Sequence, residues 1–77
     1  MFDLFILETC PYCKKVMNYM DENKIKYNKI DTTDEDNVLR LMTIGGRDQV
    51  PFLYNTKTGE KIYESEDIIK YLGLNYV

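Results

Sequence analysis

Histidine is absent from this sequence, and cysteine occurs only twice, at positions 10 and 13. A zinc site normally takes four Cys or His ligands, so one chain cannot complete such a site with two cysteines. A catalytic triad built on histidine is excluded. A secreted scaffold held by several disulfides needs more cysteines. We therefore expect no metal, and the cysteine pair is the chemistry that remains.

The sequence also lacks an excess of positive charge and any long apolar run. Ten Lys and Arg residues stand against 13 Asp and Glu residues, which gives a net charge of −3. An acidic domain is poorly suited to nucleic acid, because basic residues must neutralise the phosphates. No apolar run is long enough to span a membrane, and Asp3 stands where a signal peptide carries a basic residue. We expect no nucleic acid, no membrane and a cytoplasmic location.

The length of 77 residues is enough for one domain with two packed layers but not for a second core. With 44% hydrophobic and 30% charged residues, the composition is typical of a globular protein. No repeat or linker divides the chain. We therefore treat residues 1–77 as a single domain and expect a monomer.

Residue patterns in the first half predict a strand, a helix and a second strand. Residues 1–7 form a nearly continuous apolar run, typical of a strand covered on both faces. Residues 25–30 alternate and favour a strand. Between them, apolar residues recur at helical spacing, at Cys13, Val16, Met17 and Met20. A unit of this kind pairs its two strands in parallel.

The second half predicts a helix, an antiparallel hairpin and a last helix. Capping residues, glycines and β-forming residues mark their limits. The expected elements are a helix from Thr33 or Asp34 to Gly45–Gly46, a strand over 50–54, a turn over 55–59, a strand over 60–63, and a helix with Ser65 as its N-cap that ends at Gly73. The complete order is β-α-β-α-β-β-α, an α/β fold with a four-stranded mixed sheet and helices on both faces.

Residues 10–13, Cys-Pro-Tyr-Cys, lie where the first helix begins. Free N–H groups and the helix dipole stabilise a thiolate there and can lower the pKa of Cys10 from about 8.5 to roughly 3.5–7.5. Lys14 and Lys15 add positive charge nearby. Cys13 lies one turn further, on the apolar face. We therefore predict that Cys10 attacks a disulfide and that Cys13 resolves the mixed disulfide.

Two other roles for the cysteine pair are weaker. A metal role would require a cluster shared between two chains, because no further Cys or His ligands are present. A purely structural disulfide is uncommon in a cytoplasmic protein. Redox chemistry is therefore the interpretation that the pair favours.

Three separate segments show that the sequence resembles a dithiol glutaredoxin of the thioredoxin-like superfamily. They are Glu8–Cys13 (ETCPYC), Gly46–Pro51 (GRDQVP) and Tyr63–Leu72 (YESEDIIKYL). The resemblance covers the whole chain and implies a thioredoxin-like fold. It also implies a glutathione-dependent oxidoreductase that reduces protein disulfides and glutathione mixed disulfides, with glutathione as co-substrate, in electron transport and cell redox homeostasis.

The resemblance further implies a glutathione groove. It makes Pro51 a cis-proline and the backbone of Val50 the partner of the glutathione cysteine. The N–H groups of Ser65 and Glu66 would bind the γ-glutamyl carboxylate. The side chain of Glu66 or Asp67 would pair with its ammonium group.

The sequence departs from the family pattern at positions that contact glutathione. Leu7 replaces the usual lysine, so another residue must bind the glycyl carboxylate. The candidates are Lys14, Arg40, Arg47 and Gln49, of which we prefer Arg47 and Gln49. Tyr12 is expected to form a wall of the groove. Tyr63–Glu64 replaces a glycine pair, although the dipeptide Glu64–Ser65 is similar to a Glu-Ser pair that binds the γ-glutamyl end of glutathione in the N-terminal domain of glutathione transferases.

A non-catalytic glutathione-binding module is disfavoured by the intact cysteine pair, and two further functions stay open on the sequence alone. One is a glutaredoxin-like electron donor that is reduced by thioredoxin reductase. The other is an iron–sulfur cluster carrier, in which two chains and two glutathiones hold the cluster through Cys10.

Overall fold

The computed structural model describes residues 1–76 and confirms the predicted order of strands and helices. None of the helices in this range is long and apolar enough to cross a membrane. The elements are β1 (Phe2–Ile6), α1 (Pro11–Glu22), β2 (Tyr27–Asp31), α2 (Glu35–Gly45), β3 (Phe52–Asn55), β4 (Lys61–Tyr63) and α3 (Ser65–Asn75).

The four strands form one mixed sheet in the order β2-β1-β3-β4. Strand β1 pairs in parallel with β2 and antiparallel with β3, and β3 pairs antiparallel with β4, as the sequence predicted. Because Phe5 near the end of β1 is paired with Phe52 at the start of β3, the segment after β1 lies beside the segment before β3. This register brings residues 10–13 close to residues 49–51.

Helices cover both faces of the sheet, which confirms the predicted layers. Alternate residues of β1 point to opposite faces, so Leu4 and Ile6 enter one core and Phe5 enters the other. The first core packs α1 and α3 against the sheet, and the second packs α2 through Leu41. Each fully buried side chain of this kind contributes about 1.5–3 kcal/mol by leaving water.

The helices begin in different ways. The side chain of Asp34 caps α2 by accepting a hydrogen bond from the Asp36 N–H at 2.9 Å, as predicted. The start of α1 has Cys10 at the N-cap and proline as its first residue. The prediction of Ser65 as the N-cap of α3 is wrong: Glu64 occupies that position with φ of 70°, and Ser65 is the first helical residue.

The predicted end of α3 at Gly73 is also wrong, since the helix continues to Asn75. A β-carbon on Gly73 would lie 3.1 Å from the Tyr19 hydroxyl of α1. The glycine therefore permits close packing of the two helices and does not end the helix. At the end of α3, the hydroxyls of Tyr71 and Tyr76 accept hydrogen bonds from the buried Asn55 amide at 3.1 and 2.9 Å.

Candidate functional site

Both cysteines are free thiols at the start of α1, but their environments differ. Cys10 is partly exposed, whereas Cys13 is fully buried in the core. The backbone N–H of Cys10 donates to the Leu7 carbonyl at 3.1 Å, which closes the turn between β1 and the helix. The first thiol is therefore accessible to a substrate and the second lies one turn behind it.

The pKa of Cys10 is lowered from its ordinary value. Burial raises this pKa, but three hydrogen bonds outweigh burial by stabilising the thiolate. They come from the backbone and the thiol of Cys13 and from the backbone of Tyr12. The helix start therefore favours the thiolate, and no histidine is needed to remove the proton.

The pKa of Cys13 is raised to about 12. Burial is the largest cause, and the hydrogen bond to Cys10 and its charge raise the pKa further, against a backbone hydrogen bond from Leu7 that lowers it. At neutral pH Cys13 is thus a thiol that can donate a hydrogen bond to Cys10. Cys10 is therefore the candidate nucleophile, and Cys13 is its protonated neighbour.

A groove of about 550 Å³ lies beside this helix start. Seven of the eight side chains predicted to contact glutathione line it, and Glu64 is the additional one. The lining residues are Tyr12, Gln49, Val50, Pro51, Glu64, Ser65, Glu66 and Asp67. Three segments that are distant in sequence therefore meet in a single groove.

The Val50–Pro51 peptide bond is cis, as the resemblance predicted. Pro51 is buried, while Val50 is half-buried and lies outside the strands. Among residues 1–76, no other backbone group forms a hydrogen bond with the N–H or C=O of Val50. These groups are available to an extended ligand, in the manner of an added strand.

The start of α3 forms another side of the groove. No described side chain caps this helix, so its first N–H groups have no partner from a cap. Ser65 is buried, whereas Glu66 and Asp67 are exposed. Glu66 forms an ion pair with Lys15 of α1, which links the starts of the two helices. This arrangement can bind a carboxylate at the N–H groups and an ammonium group at the acidic side chains.

Glu64 lines the groove but was not among the predicted site residues. It is a non-glycine residue at positive φ, a conformation that costs about 1–3 kcal/mol and that is concentrated at ligand-binding sites. Its carboxylate accepts a hydrogen bond from the Gln49 side-chain amide at 2.7 Å. The sequence signal for this residue was the Glu-Ser dipeptide.

Arg47 is the predicted residue that the groove lining does not include. Its guanidinium lies over the ring of Tyr63, 4.1 Å from the centroid. The Tyr63 hydroxyl donates to the Arg47 carbonyl at 2.9 Å and accepts from the Arg47 N–H at 3.2 Å. Three contacts with one tyrosine therefore fix the position of this arginine.

Other parts of the described chain offer less chemistry. Within residues 1–76, no group of three or more Cys, Asp or Glu side chains could hold a metal ion. A larger depression of about 640 Å³ lies elsewhere, lined by Met1, Asp21 and residues 24–29, and it contains no cysteine. The groove beside Cys10 is therefore the better candidate site, although it is smaller.

A family model described as the N-terminal domain of glutathione S-transferase matches residues 4–77. No curated protein matches the chain. Solved structures that resemble it include a trimeric glutathione transferase from Leishmania, with 26% identity over 94% of this chain and 17% of that chain and a TM-score of 0.76.

Two other similar structures are an Omega 3C glutathione transferase from Trametes versicolor and Ure2p in complex with glutathione. The first has 19% identity and a TM-score of 0.86, and covers 97% of this chain and 33% of that one. The second has 24% identity and a TM-score of 0.80, with the same coverage of 97% and 33%. This chain spans a third or less of the length of these proteins. The fold is thioredoxin-like, and the chain belongs to the family of glutathione S-transferase N-terminal domains.

Proposed function

We propose that this protein is a glutathione-dependent thiol–disulfide oxidoreductase of the glutaredoxin type. The observation that carries the proposal is that the two thiols differ in exposure and in pKa. Cys10 is accessible and has a lowered pKa, while Cys13 is buried and has a raised pKa. The family match and the groove support glutathione as the thiol that acts with them.

In the first step, the Cys10 thiolate attacks the glutathione sulfur of a mixed disulfide. A bond forms between Cys10 Sγ and this sulfur, and the original disulfide bond breaks. The substrate leaves as a thiolate and takes a proton from water. The substrate thiol is thereby reduced, and Cys10 is oxidised to a mixed disulfide with glutathione.

In the second step, the thiolate of another glutathione attacks the bound glutathione sulfur. Glutathione disulfide leaves, and Cys10 returns as a thiolate. Alternatively, Cys13 loses its proton and attacks Cys10 Sγ, which releases glutathione and leaves a disulfide between the two cysteines. Atoms and electrons balance in both routes. Only the route that forms the disulfide between Cys10 and Cys13 requires Cys13.

The proposed binding mode uses the backbone of the groove. The N–H and C=O of Val50 pair with the cysteine residue of glutathione. The N–H groups of Ser65 and Glu66 bind the γ-glutamyl carboxylate, and Asp67 pairs with the ammonium group. Glu66 is less available for this ion pair because Lys15 already engages it. Tyr12, which is 64% exposed, forms the outer wall.

The family match also favours a second candidate, transfer of glutathione to an electrophile. In that reaction the groove would hold glutathione as a thiolate, and no disulfide would form with Cys10. Conjugation of a chloronitrobenzene would detect this activity. It should persist in the Cys10→Ser variant, because this reaction needs no nucleophile at position 10.

A coupled assay with NADPH, glutathione reductase and glutathione on a mixed-disulfide substrate tests the main proposal. We expect Cys10→Ser to lower turnover by about a thousandfold or more, because the nucleophile is lost. Cys13→Ser should keep turnover within about threefold, because the glutathione route needs one thiol.

Equal losses in the two variants would contradict these roles. Turnover with thioredoxin reductase but not with glutathione would favour the alternative in which the protein is an electron donor that is reduced by thioredoxin reductase. A brown chromophore with dimerisation after anaerobic reconstitution with iron and sulfide would favour the cluster carrier.

A further inference from the structure

The segment between α2 and β3 carries the backbone of Val50, which is the proposed partner of the cysteine residue of glutathione. Residues 47–50 of this segment belong to no helix or strand. Among residues 1–76, no backbone group forms a hydrogen bond with the N–H or C=O groups of residues 47–50. Pairing with a neighbouring strand therefore does not fix the course of this segment.

Tyr63 supplies hydrogen bonds that the backbone does not. Its hydroxyl donates to the Arg47 carbonyl at 2.9 Å and accepts from the Arg47 N–H at 3.2 Å. A phenol can form both bonds at once, because its hydroxyl is a donor and an acceptor. One side chain thus satisfies the two backbone groups of Arg47, as a hydrogen-bonded residue on a neighbouring strand would.

The phenol itself is held by the sheet. Tyr63 is the last residue of β4 and is paired with Phe52 of β3. The centroids of these two rings are 4.4 Å apart, and the Arg47 guanidinium lies 4.1 Å from the centroid of the Tyr63 ring. The segment that carries Val50 is therefore tied to the sheet through this ring.

Tyr63 also lies just before the other side of the groove. Two residues later, Ser65 begins α3, whose first N–H groups are not capped by any described side chain. The proposed binding mode uses these N–H groups together with the backbone of Val50. The spacing between the two sets of groups therefore depends on the contact between Tyr63 and Arg47.

We propose that Tyr63 is a positioning residue for the reaction with glutathione. It does not line the groove, so it acts without touching the ligand. By holding the backbone of Arg47, it keeps the backbone of Val50 at the distance from the start of α3 that glutathione spans. The inference rests on the proposed function, since it requires glutathione to occupy the groove while Cys10 attacks its sulfur.

Two probes with the same leaving group test this role, the 2-pyridyl disulfides of glutathione and of 2-mercaptoethanol. A bond forms between Cys10 Sγ and the ligand sulfur as the disulfide bond breaks. The leaving 2-thiopyridone takes the electron pair and a proton, and its absorbance measures the rate. The Cys13→Ser variant is used throughout, so that the reaction stops at the mixed disulfide.

The ratio of the two rates, glutathione over 2-mercaptoethanol, is the capture ratio. Only the glutathione probe has peptide groups that can pair with Val50. Division by the same ratio for a free thiol, N-acetylcysteine, removes the difference in intrinsic reactivity between the probes. The capture ratio therefore measures recognition of glutathione by the groove, apart from the reactivity of Cys10.

We expect Tyr63→Phe to lower the capture ratio about tenfold, because it removes both hydrogen bonds but retains the ring. The rate with 2-mercaptoethanol should stay within about twofold, since that probe does not use the groove. Tyr27→Phe is the matched control and should leave the ratio unchanged. Tyr27 is also half-buried, and its hydroxyl donates to Asp21 at 3.2 Å, away from the groove. Far-UV circular dichroism verifies the fold of both variants.

Amide hydrogen exchange tests the contact without a ligand and without a change at Tyr63. The N–H of Arg47 donates to the Tyr63 hydroxyl, whereas the N–H of Asp48 has no partner among residues 1–76. Relative to the rates of an unstructured peptide, Arg47 should exchange at least about fivefold more slowly than Asp48. Tyr63→Phe should remove this difference.

A capture ratio that Tyr63→Phe leaves unchanged, or that Tyr27→Phe lowers equally, would overturn this role while leaving the redox function intact. Equal exchange of the Arg47 and Asp48 amides would also overturn it. So would an equal fall in the rates of both probes, because that would place the effect on the thiol. A capture ratio of about one before any change at Tyr63, or capture no faster than in a Cys10→Ser variant, would instead overturn the proposed function itself.

Discussion

The start of α2, on one face of the sheet, has a side-chain cap, whereas the starts of α1 and α3, on the other face, have none within residues 1–76. On one face, Asp34 caps α2 with its side chain. On the opposite face, no described side chain caps α1 or α3. The residues that begin these two helices, Tyr12 and residues 65–67, line the groove, while the capped start does not.

This difference separates a structural requirement from a functional one. A side-chain cap contributes about 0.5–2 kcal/mol to stability by satisfying an N–H donor. The starts of α1 and α3 do without that contribution, so their donors remain open to a sulfur anion and a carboxylate. The absence of a cap is informative here because both uncapped starts face the same groove.

The largest predicted effect is on the two thiols at the uncapped start of α1. At about pH 7, iodoacetamide should alkylate Cys10 at least about a thousandfold faster than Cys13, because only thiolates react and a pKa near 12 leaves Cys13 protonated. The Cys10 rate should fall as pH decreases through its lowered pKa and should be constant above it. Mass spectrometry of each cysteine over a pH series measures both rates.

The second thiol provides the control for this experiment. Cys13→Ser retains a hydroxyl donor beside Cys10, whereas Cys13→Ala removes it. The midpoint for Cys10 alkylation should therefore be higher in the alanine variant. A Cys10 midpoint above that of a free thiol, about 8.5, would contradict the role of the helix start.

The next effect concerns the donors of α3. Proline is well tolerated as the first residue of a helix, and Ser65→Pro removes one N–H and the hydroxyl. We expect glutathione capture by Cys10 to weaken by about 10- to 100-fold, the range for a lost hydrogen bond to a charged group. Rates of mixed-disulfide formation measure this change.

A matched proline on the other face sharpens the comparison. Glu35→Pro makes the same change at the first residue of the capped helix α2 and should leave capture unchanged. Ser65→Ala retains the N–H and should fall between the wild type and the proline variant. Similar capture by the Ser65→Pro variant and the wild type would show that the start of α3 does not bind the ligand.

The smallest effect is on stability at the capped start. Asp34→Ala should lower the free energy of unfolding by about 1 kcal/mol, because the N–H of Asp36 loses its partner. Urea denaturation measures this change, and the glutathione-coupled activity of the folded variant serves as its control. A loss of activity greater than about twofold would place Asp34 in the function of the site.

The order of elements and the pairing of strands could be predicted from the sequence, because periodicity and local capping determine them. Of the two errors at α3, the one at Gly73 comes from a contact between residues that lie far apart in sequence, and the one at Ser65 comes from a local backbone angle. Gly73 resembles a helix end, but the approach of Tyr19 explains the glycine. Ser65 resembles an N-cap, but positive φ at Glu64 shifts the helix start by one residue.

The site shows the same limit. Cysteine spacing is a local signal that located the thiols, and the resemblance to glutaredoxins predicted the cis-proline. The side-chain partners of Arg47 and Gln49 could not be predicted from local sequence. Arg47 contacts Tyr63 and Gln49 contacts Glu64, each about 15 residues away along the chain. The arrangement of this side of the groove depends on these partners, so it became visible only in the folded structure.

The Tyr63 hydroxyl also connects the groove to helix α2, which packs on the opposite face of the sheet from α1 and α3. A β-carbon at Gly45, the last residue of α2, would overlap this hydroxyl. Displacing Tyr63 would release the Arg47 backbone and hence the segment that carries Gln49 and Val50. A substitution at position 45 should therefore change the ligand geometry from a distance. Helix α2 does not line the groove, but the Tyr63 side chain connects it to the segment that does.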